Sequence, residues 1–172
     1  MAEELEMNGA VENANNTAPC AVSSEEKALL NELMSTTFNS VTRIEEKSLT
    51  NRLLQGLTIA EIHTLAAVGL HGSVPMKAIA AKLEVTLATV NASVGKLEKK
   101  GYLTRTRSET DRRQMLVSLT NSGRKAVRVH DAFHRKMVDR ALEGLSVTEE
   151  ASLVKALTNV KSFFDEEYKQ AE

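Results

Sequence analysis

The chain has 172 residues and one cysteine, Cys20, a length that suits one domain with a real core, with or without a dimerisation arm, and a cysteine count that excludes an internal disulfide. No apolar run approaches the roughly 20 residues of a membrane span, and the acidic N-terminus lacks the basic-then-apolar order of a secretion signal, so the expected setting is cytoplasmic. The net charge of −1 hides a segregation: residues 76–125 hold 11 Lys/Arg against 4 Asp/Glu, a balance of +7, and the remainder therefore carries −8, the pattern of a basic face that orients an acidic body on a polyanion.

Residues 1–22 are rich in Asn, Ala and Glu without apolar periodicity and are expected to be a disordered acidic tail. Ser23 with Glu26 forms a capping box, and Leu30, Leu33, Met34, Val41 and Ile44 follow at helical spacing. Thr58 with Glu61 opens a second helix carrying Ile62, Leu65 and Val68, which Gly69, His71 and Gly72 break. Ser73 and Pro75 are expected to start a short third helix with Ile79, Ala80 and Leu83 inward. Thr86 caps a fourth, with Leu87, Val90, Val94 and Leu97 as its apolar stripe and Gly101 at its end. Two strands, 102–107 and 114–119, flank a polar turn at 108–113. A long fifth helix is predicted over 121–143, and Ser146 with Glu149 caps a sixth bearing Leu153, Leu157, Val160 and Phe164.

Only Glu84 and Val85 separate the third and fourth helices, which is helix-turn-helix spacing. Opposite its apolar stripe the fourth helix presents small residues, Ala88, Ala92 and Gly95, flanked by Thr89, Asn91, Lys96 and Lys99. A solvated face would carry longer side chains. Small ones let a helix sink into a major groove, where Thr86, Thr89 and Asn91 meet base edges and the methyls of Ala88 and Ala92 meet thymine. Lys96, Lys99 and Lys100 are placed to take phosphates. The hairpin adds Arg105, Arg107, Arg112 and Arg113, arginines suited to a narrow minor groove or the backbone. Asp111 is expected to orient a neighbouring guanidinium. Helix pair and charged hairpin together make a winged helix that reads double-stranded DNA. The expected architecture is mainly α with a small β-hairpin wing: tail 1–22, dimerisation helix 23–50, DNA-binding domain 51–122 and dimerisation helices 123–170.

The stretches Val85-Thr86-Leu87-Ala88-Thr89-Val90, Leu97-Glu98-Lys99-Lys100-Gly101-Tyr102 and Asp111-x-Arg113-x5-Leu119-Thr120 resemble the MarR family of transcriptional regulators, from about residue 29 to 168. The resemblance implies a homodimer, formed by the first, fifth and sixth helices, with two wings straddling a pseudo-palindromic operator. Within the family, Ile62-His63-Thr64, Lys100-Gly101-Tyr102, Arg107-Ser108-Glu109, Asp111-Arg112-Arg113 and Phe133-His134-x-x-Met137-Val138 are similar to the FabT branch, repressors of fatty-acid synthesis genes. That likeness implies acyl carrier protein bearing a long acyl chain as corepressor. Leu33, Met34, Val41, Ile62, Leu65, Phe133 and Met137 are candidate linings for the chain, and serve equally well as ordinary dimer core.

His130 and His134 share one face of the fifth helix. A histidine pair there resembles the zinc-sensing MarR branch, whose sites add a cysteine and carboxylates from near the first helices. Here Cys20 lies in the tail and His63 does not fall where a ligand is expected, so no metal is assigned, and a zinc-responsive repressor is the alternative reading. The preferred role of the pair is as interhelical histidines in the dimer cleft. No catalytic constellation, phosphate loop or nucleophile elbow is present, and an enzyme is not expected. A winged-helix interaction adaptor is a further alternative, but would not need a small, uncharged recognition face beside wing arginines.

Overall fold

The structure, a computed structural model, describes residues 22–48, 54 and 56–170. The expected tail, Cys20 and the boundary at residue 50 lie outside these residues. Two compact units are distinguished, the first ending at Ile44 and the second running from Glu45. Among the described residues no helix is long and apolar enough to cross a membrane.

The elements are α1 (Ser24–Ser48), α2 (Ile59–Val68), β1 (Val74–Pro75), α3 (Met76–Leu83), α4 (Leu87–Lys99), β2 (Leu103–Arg107), β3 (Met115–Leu119), α5 (Asn121–Leu142) and α6 (Val147–Gln170). The caps form as the sequence signals them. The Ser23 hydroxyl accepts from the Glu26 amide while the Glu26 carboxylate accepts from the Ser23 amide. Thr58 and Glu61 form the same reciprocal pair on α2, and Ser146 and Glu149 on α6. Each pairing satisfies N-terminal amides that a helix otherwise leaves open.

One expectation needs correction. The third helix, expected to start at Ser73 and Pro75, begins at Met76 with Pro75 at its N-cap and no side-chain cap, and Val74 and Pro75 form an edge strand, with Val74 opposite Val117 and Pro75 opposite Leu116. The sheet therefore has three strands, in the order β1-β3-β2, rather than a bare hairpin. An edge is the position in a sheet where proline, lacking an N–H, is tolerated. The neighbouring Ser73 and Ser118 hydroxyls share a hydrogen bond of 2.8 Å, so Ser118 is already engaged within the fold.

The core of the second unit is made by Ile62 and Leu65 of α2, Ile79 of α3, Val90, Val94 and Leu97 of α4, Leu103 and Val117 of the sheet, and Ala126 of α5. Complete burial of each large aliphatic side chain contributes about 1.5–3 kcal/mol. Polar ties supplement the packing between α2 and α4. The Thr64 and Ser93 hydroxyls share a 2.9 Å bond. Lys100 Nζ donates to both oxygens of the buried Glu61 carboxylate, at 2.8 and 2.7 Å, and to the Gly56 carbonyl at 2.6 Å. Lys100 is thus a structural residue, not one of the free phosphate-binding lysines the sequence suggested. Burial by itself pushes the Glu61 carboxyl up, but the Lys100 ammonium and the Thr58 amide outweigh it and hold the group below the ordinary carboxylate value.

At this C-terminal end of α4, Gly101 (φ 77°) turns the chain into the wing. The Gly101 amide donates to the Glu98 carbonyl and the Tyr102 amide to the Leu97 carbonyl, the paired bonds of a Schellman ending. The chain returns from β3 through Thr120, whose hydroxyl donates to the Gly101 carbonyl and whose amide donates to that of Tyr102. Gly123 in the first turn of α5 lies so close to this junction that a Cβ there would stand 2.1 Å from the Tyr102 carbonyl oxygen.

Candidate nucleic-acid interface

The turn between α3 and α4 is fixed by its backbone. Glu84 adopts the left-handed conformation (φ 54°), and the Val85 amide donates to the Ala80 carbonyl at 3.1 Å. A non-glycine residue held there costs on the order of 1–2 kcal/mol, offset by the packing of the helices on either side. Thr86 then caps α4, its hydroxyl accepting from the Thr89 amide at 3.1 Å and sharing a 2.8 Å bond with the Thr89 hydroxyl.

Burial sorts the faces of α4. Val90, Val94 and Leu97 are enclosed, while Thr86, Ala88, Thr89, Asn91, Ala92, Lys96 and Lys99 are exposed. The Asn91 side-chain amide donates back to the Leu87 carbonyl at 3.0 Å, which leaves its oxygen and one N–H open to a partner. Thr86, Thr89 and Asn91 are therefore held by their own helix before anything is bound.

In the wing, Leu103 pairs with Leu119 and Arg107 with Met115 across β2 and β3. Only Leu103 of β2 is buried, so the ribbon leaves the core and carries Arg105 and Arg107 outward. Arg105 Nε donates to the Glu98 carboxylate on α4 at 2.8 Å, a link from wing to recognition helix. The wing turn is closed around Ser108, whose amide donates to the Gln114 carbonyl and whose hydroxyl accepts from the Asp111 amide. The Asp111 carboxylate accepts from the Arg113 backbone amide at 3.0 Å. This corrects the expected role of Asp111: it braces the turn's backbone in place of a guanidinium. Arg107, Arg112 and Arg113 are exposed.

Helix and wing meet across one concave surface. It is lined by Pro75, Met76 and Lys77 at the start of α3, Leu87 and Asn91 of α4, and Asp111, Arg113, Gln114 and Met115 of the wing. Asn91 and Arg113, candidates for major-groove and minor-groove contact respectively, thus line the same cleft.

The candidate effector residues are placed less uniformly. Ile62 and Leu65 are closed into the core, at 1% and 0% exposure, and are reached only by opening it. Leu33 and Met34 are exposed on α1 and Val41 is half-buried there. Phe133 and Met137 are half-buried on α5. The His130 and His134 rings meet edge-on with centroids 4.4 Å apart, and His63, discounted from the sequence, lies 5.3 Å from His130. All three surround a buried carboxylate that sequence reasoning missed, Glu45: His134 Nε2 is 3.1 Å and His63 Nε2 3.5 Å from its Oε1. Burial first, and the neighbouring imidazoles second, hold His130 below its ordinary value.

The family model described as the MarR family matches residues 55–114. Over 86 residues, 50% of this chain and 49% of the relative, the chain is 35% identical to the uncharacterised HTH-type transcriptional regulator YhjH of Bacillus subtilis. Over 81 residues, 47% of this chain and 52% of the relative, it is 35% identical to the HTH-type transcriptional repressor MdtR of the same species. The matched part therefore spans about half the length of these curated relatives. The fold is similar to the crystal structure of Streptococcus pneumoniae FabT in complex with DNA, with a TM-score of 0.73, 38% identity, and coverage of 81% of this chain and 98% of that one. That likeness supports the FabT-type branch within the wider family. Family match, winged-helix architecture and similarity across almost the whole of FabT lead to one conclusion: the chain belongs to the MarR family of DNA-binding transcriptional regulators, not to a class of enzymes.

Proposed function

We propose that the protein is a homodimeric repressor of fatty-acid biosynthesis genes that grips a pseudo-palindromic operator and is strengthened by acyl carrier protein bearing a long acyl chain. The observation that carries the DNA-reading part is the cleft shared by Asn91 and Arg113. A duplex whose major groove receives α4 brings its adjacent minor groove to the wing, so both readouts operate from one docked position. Thr86, Ala88, Thr89, Asn91 and Ala92 read base edges. Lys96, Lys99, Arg105 and Arg107 take phosphates, and Arg112 and Arg113 enter the minor groove or grip its walls, with Asp111 holding the turn.

Dimerisation is supported by apolar side chains left uncovered on two helices, each considered by itself. Leu29, Leu30, Leu33 and Phe38 are exposed on α1, and Leu157, Phe163 and Phe164 on α6. Exposed apolar side chains in such number mark surfaces that another chain covers. The fatty-acid assignment rests on the likeness to FabT. Of the expected acyl lining, Phe133 and Met137 are the side chains in the second unit that remain open.

Fluorescence anisotropy on a duplex from a fatty-acid gene promoter tests the proposal. The protein is titrated alone, with long-chain acylated carrier protein, and with the same carrier lacking the acyl chain. Tighter binding with the acylated carrier alone is the expected result. Equal affinity in all three arms would remove the corepressor and leave a DNA-binding regulator of another kind.

A further inference from the structure

Leu87 shares the apolar phase of α4 with Val90, Val94 and Leu97, yet those three are at most 1% exposed and Leu87 is 40% exposed. It is the first residue of the helix after the Thr86 cap, and it lines the cleft between recognition helix and wing together with Asn91 and Arg113. A lone leucine on a protein surface is ordinary. This one shares its cleft with half-buried Pro75 and Met115, so an apolar spot lies on the very surface that faces DNA. The major groove of a duplex offers one kind of apolar group to such a spot, the 5-methyl of thymine.

The Leu87 backbone acts at the same place. Its carbonyl accepts from the Asn91 side-chain amide at 3.0 Å, which fixes the direction of that amide, since the reversed one would set two oxygens against each other. One acceptor and one donor of Asn91 remain open. Among the four bases only adenine presents the matching pair in the major groove, its N6 donor beside its N7 acceptor.

We propose that Leu87 is a specificity-determining residue, packing its side chain on the 5-methyl group of a thymine close to an adenine that Asn91 holds in two hydrogen bonds. The proposal deepens the reading of α4 as the major-groove helix and rests on it. Leu87 and Asn91 are separated by about 6 Å along the helix axis, less than two base-pair steps of about 3.4 Å, so the two side chains serve base pairs at most two steps apart. The contact withdraws one methyl group from water, a factor of about four in affinity.

The test starts from the duplex that the full chain selects out of a random-sequence pool, which makes it independent of the fatty-acid promoter and the corepressor. Each thymine of that duplex is replaced singly by deoxyuridine, which removes only the methyl, and each adenine by 7-deazaadenine, which removes only the N7 acceptor. Anisotropy is expected to show a loss of about fourfold at one thymine and a loss at an adenine within two steps of it. Leu87→Ala is expected to bind the thymine and uracil duplexes equally while still losing affinity to 7-deazaadenine, and Asn91→Ala to show the reverse. Circular dichroism checks folding, Leu87→Met replaces a variant that does not fold, and the deoxyuridine series on the unaltered chain needs no variant. Selection of no preferred sequence would overturn base reading by α4 and this proposal with it. A selected duplex in which no thymine responds to deoxyuridine would overturn the role of Leu87 alone. So would an undiminished preference of Leu87→Ala for thymine over uracil, because another side chain would then hold the methyl.

Discussion

Arg105 and Arg113 sit on the same wing in different electrostatic situations. Arg105 is paired with Glu98, so part of its charge is already spent within the fold, whereas Arg113 is exposed at the turn and its backbone is braced by Asp111. Arg113→Ala is expected to lower operator affinity by about 1–3 kcal/mol if the side chain reads a groove, and Arg105→Ala by less, both measured by anisotropy at matched salt. Equal losses would mean that the Glu98 pairing is given up on DNA. Thr86 was legible as a cap because the cap needs only local spacing. The pairing of Asp111 with a backbone amide was not, because an aspartate beside two arginines signals an ion pair as readily as a turn. His63 and Glu45 were still less legible. Their convergence with His130 depends on how three helices pack, which no local pattern encodes.

At the scale of elements, the caps at Ser23, Thr58, Thr86 and Ser146 were written in the sequence, as was the turn between α3 and α4, whereas Leu87, expected on the inward stripe of α4, is exposed. The missed element, β1, has two residues and contains a proline, a residue that also marks the first turn of a helix. Lys100 was misread for a related reason: a lysine at a helix end suits a phosphate, and its partner Glu61 was already accounted for by the cap on α2. Glu61 serves both. Lys100→Ala is expected to destabilise the domain by about 1–2 kcal/mol, because it leaves a buried carboxylate without its cation, and the half-exposed lysine keeps the loss below that of a fully buried pair. A lower urea midpoint with unchanged slope would report it, and an unchanged midpoint would contradict it. Gly123→Ala acts on the join between wing and α5. A Cβ there meets a backbone carbonyl that cannot step aside without moving β2. A loss of about 1–3 kcal/mol is expected, the usual range for overpacking, and an unchanged melting temperature would show that the junction yields.

For the molecule as a whole, a net charge near zero coexists with a basic segment that contains the wing and the recognition helix. Binding is therefore expected to be strongly salt-dependent. If Lys96, Lys99, Arg107 and Arg112 of each protomer contact phosphates, roughly eight counterions are released, and affinity falls by about 10³-fold or more between 50 and 200 mM salt. A shallow slope would mean fewer contacts, or a monomer on the duplex. Uncovered apolar side chains on α1 and α6 carry the parallel expectation of a dimer, which sedimentation of the free protein checks directly. The measurement that goes most directly to DNA reading by helix and wing compares a fatty-acid-promoter operator with a scrambled duplex of the same length and composition, by anisotropy at one physiological salt concentration. Specific reading by α4 and the wing requires the operator to bind about 10³-fold more tightly or better; equal affinity for the two duplexes would contradict it.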